Sequence, residues 1–174
     1  INKFNRLIKS YKMKHFFVLL LIITLAGCTE TKQSVIKTDD ELTAKIELLF
    51  DKYVDNDFNV SEYYAEDIVC KINNMEFNGY ENLISGFQAH HNFLYDNINI
   101  KERYVHTNYF SNGDIWSNAW FTWTGTGKTT GNDYSNRGHF DYKWEDGKIV
   151  ELLAYYSETV ENTESAALEA SQMN

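Results

Sequence analysis

The sequence predicts an α+β domain in which helices come first and a long antiparallel meander follows, with the helices on one face of the sheet. Apolar residues recur at helical spacing up to Asn97, and from Ile98 to Tyr156 the period switches to two residues and stays there. The separators in that second half, Ser111-Asn112-Gly113, Gly125 to Asp133 and Glu145-Asp146-Gly147, have the chemistry of tight hairpins. Helices followed by a meander bury their apolar faces most simply as two layers.

Ahead of this domain stands an export signal. Met13-Lys14-His15 is basic, and Phe16 to Ala26 is an apolar run too short for a permanent span. A buried core helix would carry polar residues at its helical period, and this run has only Thr24. Leu25-Ala26-Gly27-Cys28 resembles a bacterial lipobox. That resemblance implies cleavage before Cys28 and a diacylglycerol on its thiol. The mature chain would then hang from a lipid bilayer in the bacterial cell envelope, extracytoplasmic, on the outer membrane, facing the periplasm or the surface. Residues 1–28 are thus an upstream segment and signal peptide, 29–38 a polar tether, 39–157 the domain, and 158–174 an acidic tail, either a loosely attached helix or disordered, with fraying or disorder the expectation.

Composition excludes some functions. The net charge of −9 and pI near 5.0 leave no clustered Lys and Arg to displace counterions, so no nucleic acid is expected as a partner. With Cys28 lipidated, Cys70 has no disulfide partner, and Ile68-Val69-Cys70-Lys71-Ile72 reads as a strand with a buried thiol.

Thr38-Asp39-Asp40-Glu41 has capping-box spacing and opens a helix over Asp39 to Asn56, with Leu42, Ile46, Leu49, Phe50, Tyr53 and Val54 on its buried face. Ser61 to Ala65 is read as a short second helix, and Asp67 to Asn73 as a strand turned by Asn73-Asn74. Asn78 is placed as the cap of a third helix running to about Tyr95, with Leu83, Phe87 and Leu94 inward. Four strands follow at Ile98 to Phe110, Asp114 to Thr126, Tyr134 to Trp144 and Lys148 to Tyr156.

Three stretches, Tyr53-Val54-Asp55-Asn56-Asp57-Phe58, Phe77-Asn78-Gly79-Tyr80-Glu81 and Trp144 to Glu151, carry a family likeness through their order and spacing. Over Asp39 to Ser157 the chain resembles the nuclear-transport-factor-2-like superfamily, in particular its SnoaL-like and ketosteroid-isomerase-like members. The resemblance implies the cone-shaped, cystatin-like fold, with three N-terminal helices packed on a bent antiparallel sheet around a pocket, and frequent dimerisation through the outer face. In the isomerase branch an Asp base works with a Tyr and a protonated Asp. In register, the Tyr falls on Leu49, the base on Ile72, the neutral Asp on Phe140 and a supporting tyrosine on Phe87. None is polar, so the resemblance does not carry that mechanism over.

The same register faces Ala119, Phe121, Trp123, Phe140, Tyr142, Trp144, Leu152, Ala154 and Tyr156 inward. Tyr53, Phe87, His91, Phe121, Trp123, Phe140, Tyr142 and Tyr156 are the expected ligand-binding residues of an aromatic-lined pocket. Trp116, Trp120, His139 and Asp141 face outward and are assigned to a homodimer interface, since exposed tryptophans are costly, with a cover formed by the carboxy-terminal tail as the competing account. His91 and Asp67 are the candidate acid or base groups. Neighbouring His90 and His91 lack the i, i+4 spacing of a helical metal site, and no metal or other cofactor is implied. Gly125 to Gly131 leads into a strand rather than a helix, so it is no phosphate loop and is read as a mobile hairpin tip. The function expected is binding of a small apolar or aromatic ligand, or of an envelope partner, without catalysis. The alternative is an isomerase, cyclase or dehydratase acting through a pocket His or Asp.

Overall fold

The computed structural model describes residues 33–173, so the signal sequence and Cys28 lie outside the described residues. Strand β1 is Val35–Lys37 and helix α1 is Glu41–Val54. Strands β2, Tyr64–Ile72, and β3, Met75–Asn78, lead into helix α2, Tyr80–Ala89, which continues as a π-helical turn, His90–Leu94. The meander is β4, Tyr95–Tyr109, β5, Ile115–Gly127, β6, Asp133–Glu145, and β7, Lys148–Tyr156, and helix α3, Thr159–Gln172, closes the chain.

Asp40, not Thr38, caps α1: its carboxylate accepts the Thr43 N–H at 2.9 Å. The other end closes as a Schellman motif. Asn56 takes the left-handed conformation at φ 57°, and the Asn56 and Asp57 N–H groups bond back to the Tyr53 and Lys52 carbonyls. Ser61 to Ala65 is not a helix, because Tyr64 already begins β2, which pairs with β3 and β7. The cap of α2 is Gly79 rather than Asn78, whose carbonyl instead accepts the Asn82 side-chain N–H. Part of the expected tether folds, since Val35–Lys37 pairs with Thr107 to Tyr109. The expected tail is the third helix, so among the described residues two helices precede the meander and one follows it.

The seven strands form one sheet in the order β1-β4-β5-β6-β7-β2-β3. The meander pairs antiparallel in sequence order, as its hairpin separators predict, whereas β2 joins β7 in parallel, with Cys70 beside Leu152. Two register shifts interrupt β4, and Asn97 and Glu102 near them have positive φ. Such bulges bend a strand and increase its twist, which curls the sheet around the helices.

Ile46, Leu49 and Phe50 of α1 and Leu83 and Ile84 of α2 bury against Ala119, Phe121, Tyr142, Trp144 and Leu152. A chain of hydroxyls runs through this core. The Trp144 indole, which can only donate, gives its proton to Ser117 Oγ at 2.8 Å, so the Ser117 hydroxyl is free to donate to Thr107 at 2.8 Å. Thr107 then donates to Thr43 at 3.0 Å, and Thr43 to the Lys37 carbonyl at 3.4 Å. The Lys37 carbonyl can only accept, so Thr43 donates to it, Thr107 to Thr43 and Ser117 to Thr107, and the relay ties β6 through β5 and β4 to α1 and the edge strand.

Candidate functional site

Inside the bent sheet lies an apolar cavity of about 100 Å³. Leu49, Phe50 and Tyr53 of α1 line one wall, and Phe121, Trp123, Phe140, Tyr142 and Tyr156 line the sheet side. Phe87, His90 and Tyr95 close the end formed by α2 and the π turn, while Val160 and Glu161 of α3 complete the enclosure. The rings meet edge on: Tyr95 and Trp123 centroids are 4.7 Å apart, and those of Phe121 and Phe140 5.0 Å. Gly138 makes room for this, because a Cβ there would come within 2.6 Å of the Phe121 ring.

Polar groups are few and ordered. Trp123 Nε1 donates to Tyr53 Oη at 3.1 Å, and Tyr53 Oη lies 2.9 Å from His90 Nδ1. Burial pushes the Tyr53 phenol well above its ordinary pKa, so it keeps its proton, and the indole has already taken one of its acceptor positions. Tyr53 therefore donates to His90 Nδ1, which assigns the ring proton to Nε2. Burial holds His90 below its ordinary pKa; Glu161 opposes this and His91 reinforces it, leaving a neutral imidazole at pH 7.

Tyr95 differs from Tyr53. It is 3% exposed, yet its hydroxyl has no partner among the described residues. Glu161 is the carboxylate of the lining, and it accepts the Tyr156 hydroxyl at 3.1 Å.

Seven of the eight expected ligand-binding residues line the cavity: Tyr53, Phe87, Phe121, Trp123, Phe140, Tyr142 and Tyr156. His91 does not. Its neighbour His90 takes that place, while the His91 ring packs on Tyr53 and Phe58, with centroids 5.1 and 5.8 Å away. Asp67 is exposed on β2, outside the cavity. Trp116, Trp120, His139 and Asp141 lie on the outer face, as the alternation requires. There Trp120 stacks between His106, at 5.4 Å, and His139, at 4.3 Å, so both faces of the indole are covered although the residue is 43% exposed. The groups missing from the expected site are His90, Tyr95 and Glu161, the last on a segment taken for a tail.

Residues 50–152 match the SnoaL-like domain family. This chain is a SnoaL-like protein. The match spans the lining from Phe50 to Tyr142 and stops before Tyr156 and α3, which complete the lining. Among solved structures, the SnoaL-like chain is similar to a candidate polyketide cyclase from Xanthomonas campestris pv. campestris, with 18% identity and a TM-score of 0.58 over 72% of this chain and 95% of that one. A nuclear-transport-factor-2-like protein from Anabaena variabilis shares 16% identity and a TM-score of 0.54, over 67% of this chain and 86% of that one. An uncharacterised cystatin-like protein from Caulobacter vibrioides shares 10% identity and a TM-score of 0.53, over 74% of this chain and 95% of that one. These likenesses establish the cystatin-like cone, and sequence at such identities carries no activity across. Among curated proteins no sequence matches the chain.

Proposed function

We propose that the cone binds one small, predominantly apolar molecule bearing a hydrogen-bond acceptor, a carbonyl being the simplest, which the Tyr95 hydroxyl orients. The observation that carries this is the unpartnered hydroxyl of Tyr95, a residue that lines an aromatic cavity. A buried donor left unmade costs about 1–3 kcal/mol, a cost that a ligand oxygen removes. Size bounds the ligand too. An apolar cavity of roughly 150 Å³ holds benzene, so about 100 Å³ suits a molecule no larger than a single ring unless the walls move. The test compares cyclohexanone with methylcyclohexane, following the Trp123 indole N–H by NMR. Tyr95→Phe should weaken cyclohexanone roughly tenfold and leave the hydrocarbon unchanged. Equal effects on both probes would remove the hydrogen bond from the reading.

A second reading, an isomerase, cyclase or dehydratase, has its own observation: the Glu161 carboxylate and the neutral His90 line the same cavity as Tyr95. Glu161 would take a proton from the carbon beside a carbonyl while Tyr95 steadies the oxyanion. Deuterium entering the α-carbons of cyclohexanone, abolished by Glu161→Gln, would establish this chemistry. No exchange above buffer leaves binding alone.

The pattern at Met13 to Cys28 supports a lipid-anchored placement for the domain. The expected result is membrane-bound full-length protein in a bacterial host and release into the soluble fraction by Cys28→Ala. Equal release of both forms would overturn the anchor.

A further inference from the structure

Helix α3 has little apolar surface with which to dock. Val160 and Leu168 touch the small cluster of Leu94, Tyr95 and Ile98, and the fully buried side chain of the helix is Glu164. A carboxylate at 0% exposure needs partners on both oxygens. It finds them on the tip between β5 and β6. The backbone N–H groups of Thr129 and Thr130 donate to Oε1 at 2.5 and 3.2 Å, and the hydroxyls of Thr130 and Tyr134 donate to Oε2 at 2.7 and 3.2 Å. Successive backbone N–H groups of this kind form an anion-binding concavity. The tip is shaped for it, since a Cβ at Gly127 would lie 2.2 Å from Glu164 Oε2. The tip read from sequence as a mobile hairpin is therefore pinned.

One turn before Glu164, the same helix supplies Val160 and Glu161 to the cavity. We infer that the Gly127–Gly131 tip is a carboxylate receptor occupied in cis by Glu164, and that this latch holds α3 as a releasable cover over the cavity. When the latch opens, the cavity opens wider to solvent and loses its carboxylate together. Wall and charge travel on one element. The inference concerns access to the cavity and holds whether or not the cavity binds a carbonyl compound.

Two variants test it in the full domain by hydrogen exchange. Glu164→Gln keeps the shape and removes the charge, and Gly127→Ala fills the receptor without changing the sequence of α3. Each should speed exchange of the α3 amides and of the Trp123 indole N–H by on the order of tenfold to a hundredfold. The core amides of Tyr142 and Leu152 should stay as protected as in the parent. Unchanged α3 amides in both variants overturn the latch, and fast α3 amides with an unchanged Trp123 indole overturn the cover. Uniform acceleration through Tyr142 and Leu152 overturns both, since α3 would then be inseparable from the core.

Discussion

The phenol of Tyr53 stands 2.9 Å from His90 Nδ1 while it accepts the indole proton of Trp123 at 3.1 Å, so one hydroxyl satisfies two side chains from two other elements. Tyr53 comes from α1, His90 from the π turn and Trp123 from β5. The hydroxyl fixes the wall of the cavity as well as its polarity.

Tyr53→Phe leaves both partners buried and unpaired. The expected cost is about 2–4 kcal/mol of unfolding free energy, read from urea melts, together with a changed environment for the Trp123 indole. A loss below about 0.5 kcal/mol would mean that water replaces the hydroxyl.

Acid should destabilise the domain in two stages. His90 sits below its ordinary 6.5 in the folded protein, so the unfolded chain binds the proton first, and stability falls as pH drops below about 6.5. Burial alone would raise Glu164, but the bonds from Thr130, Thr129 and Tyr134 outweigh it and hold the carboxyl below its ordinary 4.5. Its contribution is complete above that value and disappears as pH falls through the lower folded one. Urea melts from pH 7.5 to 3 should show both slopes, with His90→Asn flattening the first and Glu164→Gln the second.

Ser117→Ala cuts the hydroxyl relay at its second link. Trp144 loses its acceptor and Thr107 its donor, both buried, for about 2–3 kcal/mol. Thr43→Val, at the far end, should cost less, because it leaves one buried group, the Thr107 hydroxyl, unpaired instead of two, and the Lys37 carbonyl it abandons belongs to an exposed edge strand. Comparing the two melts tests the assigned direction of the chain.

Cys70 should resist thiol reagents in the native state. It is fully buried on β2, and desolvation pushes its thiol up to about 12. Modification by a disulfide reagent should follow global unfolding, with equal rates at different reagent concentrations.

The meander was legible because one face of each strand is core and the other is not, so the two-residue period survives from Val105 through Ala154. The pocket was legible for the same reason, with its strand residues falling on the inner face. His90 was missed because positions three and four after Phe87 both lie near the inner face of a helix, so spacing does not choose between the neighbouring histidines; the Tyr53 hydroxyl meets His90 while the Tyr53 ring packs on His91. Helix α3 was missed for a different reason. Its inner face carries Glu161 and Glu164 where an apolar residue would normally signal docking, and the partners that make Glu164 affordable lie on a hairpin distant in sequence. Polar docking leaves no periodicity to read.

The parallel pairing of Cys70 with Leu152 sets the order in which the cone can be completed. During synthesis β2 and β3 emerge early, yet the strand that covers the open side of β2 is among the last to leave the ribosome. A nascent chain that stalls before β7 would expose the unpaired edge of β2 next to Ile68 and Cys70, a template for pairing with another chain. Newly made protein thus depends on whatever shields that edge until its final strand arrives.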